Sequence, residues 1–333
     1  MWVSHDGNHA GFEHGEAVTP DSDRPRVAIF SPDLLLSVTI ESRGGADELH
    51  LHPAGQGAWV ARMAAELGAL PILCSFLGGE TGAMLTTLLQ ALPGELRAVR
   101  SSGSSGAYVV DRRSGERQLI AAAARPAPQR HEIDDLVSGA VAAALGSSLA
   151  VICNPYPVEG FPDEAYETLS CALRAAGVPV LVDLSSPRLD RVLPSRPDLV
   201  KLNDWELAGY VRGPVDGPRA LQAARRVQEA GARAVALTRG DAPILVIPAE
   251  GDPFEIVPPA FPHGHREGCG DTMMGAVAAA WARGAALREA LVLGAAAGAV
   301  NFLRQGLGTG KRPAVEELAA RIDVRPHGTR TAA

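Results

Sequence analysis

The segment Gly268-Cys269-Gly270-Asp271 runs directly into the apolar stretch Thr272-Met273-Met274-Gly275-Ala276-Val277-Ala278-Ala279-Ala280-Trp281. A glycine turn opening such a helix leaves backbone N–H groups unpaired and aimed at one spot, where the helix dipole also favours negative charge. That spot is an anion hole. A carboxylate at its mouth would repel a phosphate, but it suits a general base that takes the proton from an attacking hydroxyl. The pairing points to phosphoryl transfer. The plainer alternative is a glycine turn with Asp271 as an ordinary helix cap, and these four residues alone support both.

The rest of the chain must supply the frame for that turn. Its 333 residues, 46% of them hydrophobic, are enough for one large domain, or for a domain with an attachment. The net charge is −7 and the basic residues are scattered, so nothing marks a nucleic-acid groove or an anionic membrane surface. Cys74, Cys153, Cys171 and Cys269 are far apart, without the spacing of a disulfide framework or a zinc site, which fits a reducing cytoplasm. Residues 1–24 carry His5, His9 and His14 but no apolar core, and read as a mobile tail rather than a signal peptide. No apolar run approaches the ~20 residues of a spanning helix, so no membrane partner is expected.

Two hairpins come early. Asp33 to Ile40 pairs with Glu48-Leu49-His50-Leu51-His52 across a Gly-rich turn, and Gly106 to Val110 pairs with Arg117-Gln118-Leu119-Ile120. Between them lie a helix from about Gly57 to Leu67, the strand Pro71 to Phe76 and a helix after Thr81. From residue 149 onward short apolar strands alternate with helices: Leu149 to Cys153, Val178 to Val182, Leu199 to Leu202 and Ala234 to Thr238, with helical stretches Pro162 to Ala176 and Pro218 to Ala230. Together with Arg26 to Phe30 they predict an α/β fold with a mostly parallel sheet covered on both faces. Ligands of such sheets bind beyond the carboxyl ends of the strands. Asp183, Asn203 with Glu206, and Thr238 with Gly240 stand there.

The chain resembles the ribokinase-like (PfkB) carbohydrate kinases, nearest the branch of 1-phosphofructokinases and tagatose-6-phosphate kinases, from about Arg26 to Pro326. Gly268-Cys269-Gly270-Asp271 is similar to the family's second signature, with Cys269 where alanine is usual. Gly55-Gln56-Gly57-Ala58-Trp59-Val60-Ala61-Arg62 to Gly68 follows the first in outline. Phe76-Leu77-Gly78-Gly79-Glu80-Thr81-Gly82, Val182-Asp183-Leu184-Ser185-Ser186 and Lys201-Leu202-Asn203-Asp204-Trp205-Glu206-Leu207 fall between them in the family's order.

The resemblance implies a twisted, mostly parallel sheet with helices on both faces and a small β lid at about residues 34–52 and 104–121. This makes one domain over residues 25–326, with a C-terminal tail at 327–333. It implies an ATP- and Mg²⁺-dependent phosphotransferase acting on a hydroxyl of a small molecule, with Asp271 as base and the Gly268, Cys269, Gly270 and Asp271 amides holding the developing charge. Lys201, Asn203, Glu206, Thr238 and Gly240 would serve the nucleotide, and Asn203 with Glu206 would organise Mg²⁺ largely through water. Asp33, Gly55, Gln56, Gly57 and Trp59 would serve the acceptor, and a homodimer through the lid is implied as well.

Each residue also has a structural reading: Asp33 as a Pro-Asp turn residue, Asn203 with Glu206 as a capping box, the glycines as loop residues, and Trp59 as core. The departures bear on the substrate. The phosphosugar branch usually carries Lys at Gln56, Asn at Trp59, and Arg and Asn at Ser105 and Ala107. A phosphorylated sugar is a dianion that needs fixed positive charge, so an unphosphorylated acceptor is expected unless an arginine such as Arg43 or Arg62 fills the gap. The alternatives are a phosphofructokinase proper and a catalytically weak sensor with the kinase fold.

Overall fold

Alternate residues of Arg26–Asp33 (β1) point opposite ways, Val27 and Ile29 into one apolar cluster and Ala28 and Phe30 into another. Leu70–Leu77 (β4), Leu149–Cys153 (β8), Val180–Asp183 (β9), Leu199–Asn203 (β10) and Val235–Arg239 (β11) divide in the same manner. A strand that is apolar on both faces must lie between two layers, and these do. One layer contains helices Gln56–Glu66 (α1), Gly79–Gln90 (α2), Cys269–Ala282 (α8), Leu287–Phe302 (α9) and Arg312–Ala319 (α10). The other contains Arg130–Leu145 (α3), Asp163–Ala175 (α4), Arg188–Val192 (α5), Asp204–Val211 (α6) and Pro218–Glu229 (α7).

The computed structural model describes residues 23–154, 157–304 and 308–328. Most of the expected N-terminal tail, with its three histidines, lies outside them. Arg24 donates to the carbonyls of Ala65, Gly68 and Ala69, and the His327 N–H donates to Pro253 O. Among the described residues no helix is long and apolar enough to cross a membrane.

The large sheet has the order β14-β13-β12-β11-β10-β9-β8-β1-β4-β5, with β5 at Glu95–Arg100, β12 at Ala242–Ile247, β13 at Phe254–Val257 and β14 at Asp323–Pro326. Pairing is parallel from β5 through β11, and the last three strands are antiparallel. From β1 the chain first builds outward through β4 and β5, then returns to β8 on the other side. The order therefore reverses at β1, and a crevice opens beyond the carboxyl ends of β1 and β8.

The lid is a separate sheet of four strands, Leu35–Arg43 (β2), Ala46–Ala54 (β3), Gly106–Asp111 (β6) and Gln118–Ala123 (β7), in the order β3-β2-β6-β7. Both expected hairpins are present, and a parallel β2–β6 pairing, which no local pattern announces, joins them. The lid's inner face carries Ser37, Thr39, His52, Tyr108 and Arg112, and Leu49, Leu119 and Ile120 stand exposed elsewhere on the sheet.

Candidate active site

Gly268 takes the left-handed conformation (φ 71°) and caps α8, so that the chain turns sharply into the first helical residues. Cys269 N–H is engaged by Arg266 O at 3.3 Å and Thr272 N–H by Gly268 O at 2.9 Å. Among the described residues the N–H groups of Gly270 and Asp271 have no acceptor, and they form the free part of the turn. The hole expected over four residues thus narrows to two amides. The Cys269 thiol lies by His265 O and Asn301 Nδ2, and burial raises its pKa. It packs rather than reacts.

The turn sits against the carboxyl ends of the central strands. A Cβ at Gly270 would fall 2.8 Å from Lys201 Nζ. Lys201, at 5% exposure on β10, donates to both carboxylate oxygens of Asp183 at the end of β9, at 2.9 and 3.0 Å. Burial alone would lower the lysine's pKa, but Asp183, then Glu206 and Asp271, push it above its ordinary value. The ion pair of Asp183 with Lys201 joins two strands, and no local run of residues announces it.

Asp271 is half-buried at this junction. Burial, followed by the nearby Asp183 charge, raises its pKa to about 7; Lys201 and a hydrogen bond from Gln56 pull the other way, and Glu206 adds to the rise. A carboxylate with such a pKa can exchange a proton near neutral pH. An exposed surface cap would not be expected to do so.

Asn203 and Glu206 do form the capping box. Asn203 Oδ1 accepts from the Glu206 N–H at 2.9 Å, and Glu206 Oε2 accepts from the Asn203 N–H at 2.7 Å. Glu206 is buried, which raises its pKa, while Lys201 opposes the rise. No group of three His, Cys, Asp or Glu able to hold a metal occurs among the described residues. One carboxylate and one amide suit a cation that keeps most of its water shell. Thr238 Oγ1 donates to Leu202 O at 3.3 Å, holding β11 to β10. A Cβ at the next loop residue of interest, Gly240 (φ 60°), would lie 2.8 Å from Arg266 Nη1, so this loop lies beside the segment leading into α8.

On the other side of the crevice Asp33 ends β1. Gly55 and Gly57 owe their type to protein neighbours: a Cβ at Gly55 (φ 99°) would lie 2.6 Å from Asp33 O, and one at Gly57 would lie 2.3 Å from Ser31 Cβ. Ser31 Oγ accepts the Gly57 N–H at 3.2 Å, so α1 starts pressed onto β1. Gln56 is buried and turned to Asp271, with its Oε1 unpartnered among the described residues. Ser105 Oγ accepts from the Gly78 N–H at 3.2 Å. Trp59 packs partly on the core and also lines a cavity of about 50 Å³ between lid and α1, along with Arg62, Tyr108, Arg112, Arg117 and Glu267. Arg43, by contrast, stands exposed at a hairpin tip.

Sequence reasoning missed the tie between lid and turn. Glu267, next to Gly268, accepts from Arg112 at 2.8 Å and forms an ion pair with Arg117 at 3.2 Å, and its carbonyl accepts from the buried Asn301 of α9 at 2.9 Å. Arg112 is 155 residues from Glu267. No local signal could have joined them.

The pfkB family carbohydrate kinase model matches residues 34–314. The bifunctional protein HldE of Bradyrhizobium sp. is 27% identical over 332 residues, 96% of this chain but only 62% of that protein's length. The 1-phosphofructokinase of Rhodobacter capsulatus is 31% identical over 238 residues, 66% of this chain and 70% of that protein. The crystal structure of phosphofructokinase-2 from Escherichia coli, in complex with potassium, superposes with a TM-score of 0.80 at 25% identity, over 89% of this chain and 99% of that one. With the ribokinase-like sheet, the lid and the glycine turn all in place, the chain belongs to the pfkB family of carbohydrate kinases, phosphotransferases with an alcohol group as acceptor.

Proposed function

We propose that this protein transfers the γ-phosphoryl group of ATP to a hydroxyl of a sugar or sugar-like small molecule, with Asp271 as the general base. The observation that carries the reading is the Asp271 carboxylate, its pKa raised to about 7 by burial and the Asp183 charge, beside the free amides of Gly270 and Asp271. The acceptor's O–H proton passes to Asp271 as its oxygen bonds to the γ-phosphorus. The bond from that phosphorus to the β–γ bridging oxygen breaks, and ADP departs with the electron pair. The two amides and the Lys201 ammonium face the charge that develops on the transferring group.

The nucleotide side comprises Lys201, Asn203, Glu206, Thr238 and Gly240. Mg²⁺, when bound, would offset phosphate charge, and Asn203 with Glu206 would hold its hydration shell. Asp33, Gln56 and Trp59 form the acceptor side, and Gly55 with Gly57 sets the start of α1 against it.

Gln56 and Ser105 are both engaged within the protein, and neither carries a charge that could meet a phosphate. This supports an unphosphorylated acceptor. A second reading, a phosphofructokinase-type enzyme, draws support from Arg62, Arg112 and Arg117 around the cavity beside Trp59. ATP consumption measured with D-fructose, D-fructose 1-phosphate, D-fructose 6-phosphate, D-ribose and nucleosides separates the two. The first reading expects kcat/KM for the neutral member of a matched pair to exceed that for its phosphate ester. The reverse order establishes the second, and ATP consumption with none of them would leave the kinase reading without support. We also propose that the protein forms a homodimer through the lid.

A further inference from the structure

Arg125 lies two residues beyond β7. The register pairs Ala107 with Ala123, which puts Arg125 across from Ser105 at the end of the lid. The Arg125 side chain is 2% exposed, with Nε 3.7 Å from Asp33 Oδ1 and the guanidinium carbon 4.8 Å from the centre of the Phe76 ring. None of the three guanidinium nitrogens has a hydrogen-bond partner among the described residues, and all three are sealed from solvent. A group sealed from solvent is badly placed to take a ligand's phosphate. It acts on what already lies beside it.

The charged and titratable groups facing Arg125 are Asp33 of β1, Glu132 of α3 and Tyr166 of α4. Tyr166 is buried, which raises its pKa and keeps the phenol neutral. Glu132 is already satisfied, accepting the N–H groups of Ser102 at 2.6 Å and Gln129 at 2.8 Å. Asp33 is the exception: its side chain is 26% exposed toward the crevice and accepts no hydrogen bond among the described residues. Burying a carboxylate disfavours its charged form unless a countercharge stands near. The two do oppose each other here, burial raising the Asp33 pKa and Arg125 lowering it.

We infer that Arg125 is a positioning residue, a buried countercharge that keeps the Asp33 carboxylate ionised and directed at the acceptor's hydroxyl groups rather than binding an anion of the acceptor. The inference rests on Asp33 serving the acceptor in the kinase reaction proposed above. An ionised carboxylate accepts hydrogen bonds from two hydroxyls at once, whereas a protonated one gives up part of that capacity. The positive charge of this region is thus committed to a protein carboxylate, in keeping with a neutral acceptor.

The test is the kinetics and the pH dependence of acceptor binding for whichever of D-fructose and D-fructose 6-phosphate is turned over, in wild type, Arg125→Met and Arg125→Lys. Arg125→Met is expected to raise acceptor KM by about ten- to a hundredfold, the equivalent of a charge-assisted hydrogen bond. kcat and the KM for ATP should stay close to wild type. Because Asp271 as base would itself set an acid limb of kcat/KM near pH 7, the acid limb due to Asp33 is read from acceptor Kd in the Asp271→Asn background; it should move to higher pH in Arg125→Met, because Asp33 then protonates more readily, and Arg125→Lys should restore part of the shift. An acid limb unmoved in Arg125→Met, or equal losses in kcat and in the KM for ATP, would overturn the inference.

A second readout needs no turnover. The Asp33 carboxyl carbon resonance, identified by its loss in Asp33→Asn, should titrate at higher pH in Arg125→Met than in wild type. An unchanged midpoint overturns the inference even if both sugars prove inert, an outcome that would count against the kinase reading alone. Arg125→Gln supplies the same comparison should Arg125→Met fail to fold.

Discussion

Asp271 combines two properties that rarely coincide in a surface cap: crowding by Asp183 and Glu206, and a place among free helix amides. As a base it must be ionised, so kcat/KM should fall as pH drops through about 7. Asp271→Asn should lower kcat by the ~10²–10⁴ of lost general-base assistance and leave nucleotide binding nearly intact, as read by turnover and by ATP titration. Stability should change in the opposite sense. The folded-state pKa is raised to about 7 from an ordinary 3.8, so the cost of burying Asp271 is fully present above about pH 7 and shrinks steadily as pH falls from there toward 3.8. The Asn variant should therefore melt higher than wild type at pH 8, with a gap that begins to narrow near pH 7 and closes as pH approaches 3.8. A constant gap would point to lost packing instead. Asp271, Asn203 and Glu206 were legible from spacing; the Lys201–Asp183 pair was not, because its partners come from different strands.

Among the elements, α8 carries Asp271 in its first turn, and glycines set how closely its neighbours approach. A Cβ at Gly275 would fall 2.4 Å from Val60 O of α1, and one at Gly294 of α9 would fall 2.6 Å from Val277 Cγ2. Contacts that close have backbone or a branched side chain on the far side, so they cannot yield cheaply. Gly275→Ala should cost about 1–3 kcal/mol in urea unfolding, the usual penalty of overpacking, and should lower kcat as well because α8 must shift. Full retention of both would mean that α1 and α8 can separate without disturbing the turn. The apolar character of α8 was evident from its residues, but its tight crossing of α1, more than two hundred residues earlier in the chain, was not.

At the scale of the whole molecule, the lid joins two hairpins into one sheet and meets the Gly268 to Asp271 turn through Arg112, Arg117 and Glu267. Leu49, Leu119 and Ile120 are 65%, 54% and 52% exposed. Apolar side chains gathered on one small sheet are costly to leave in water, and a second lid would cover them. Sedimentation should show a dimer for the wild type and a monomer for Leu49→Glu with Ile120→Glu. A wild-type monomer, or a double variant that stays dimeric, would place any self-association elsewhere.

By itself the sequence determined the alternation of strands and helices, the two hairpins and the glycine turn with its carboxylate. Each is written in a local run of residues, as apolar periodicity, turn chemistry or a motif only a few residues long. The tertiary structure decided the rest. It brought Lys201 to Asp183, set Gln56 against Asp271, gave Gly55 and Gly57 protein neighbours, and placed Arg125 behind Asp33. It also added three antiparallel strands to the sheet and tied the lid to the turn. Those relations depend on strand order and register across long separations, and desolvation at the crevice exists only once the layers have closed. Charge and burial act at a distance in space, and a linear chain does not record such distances.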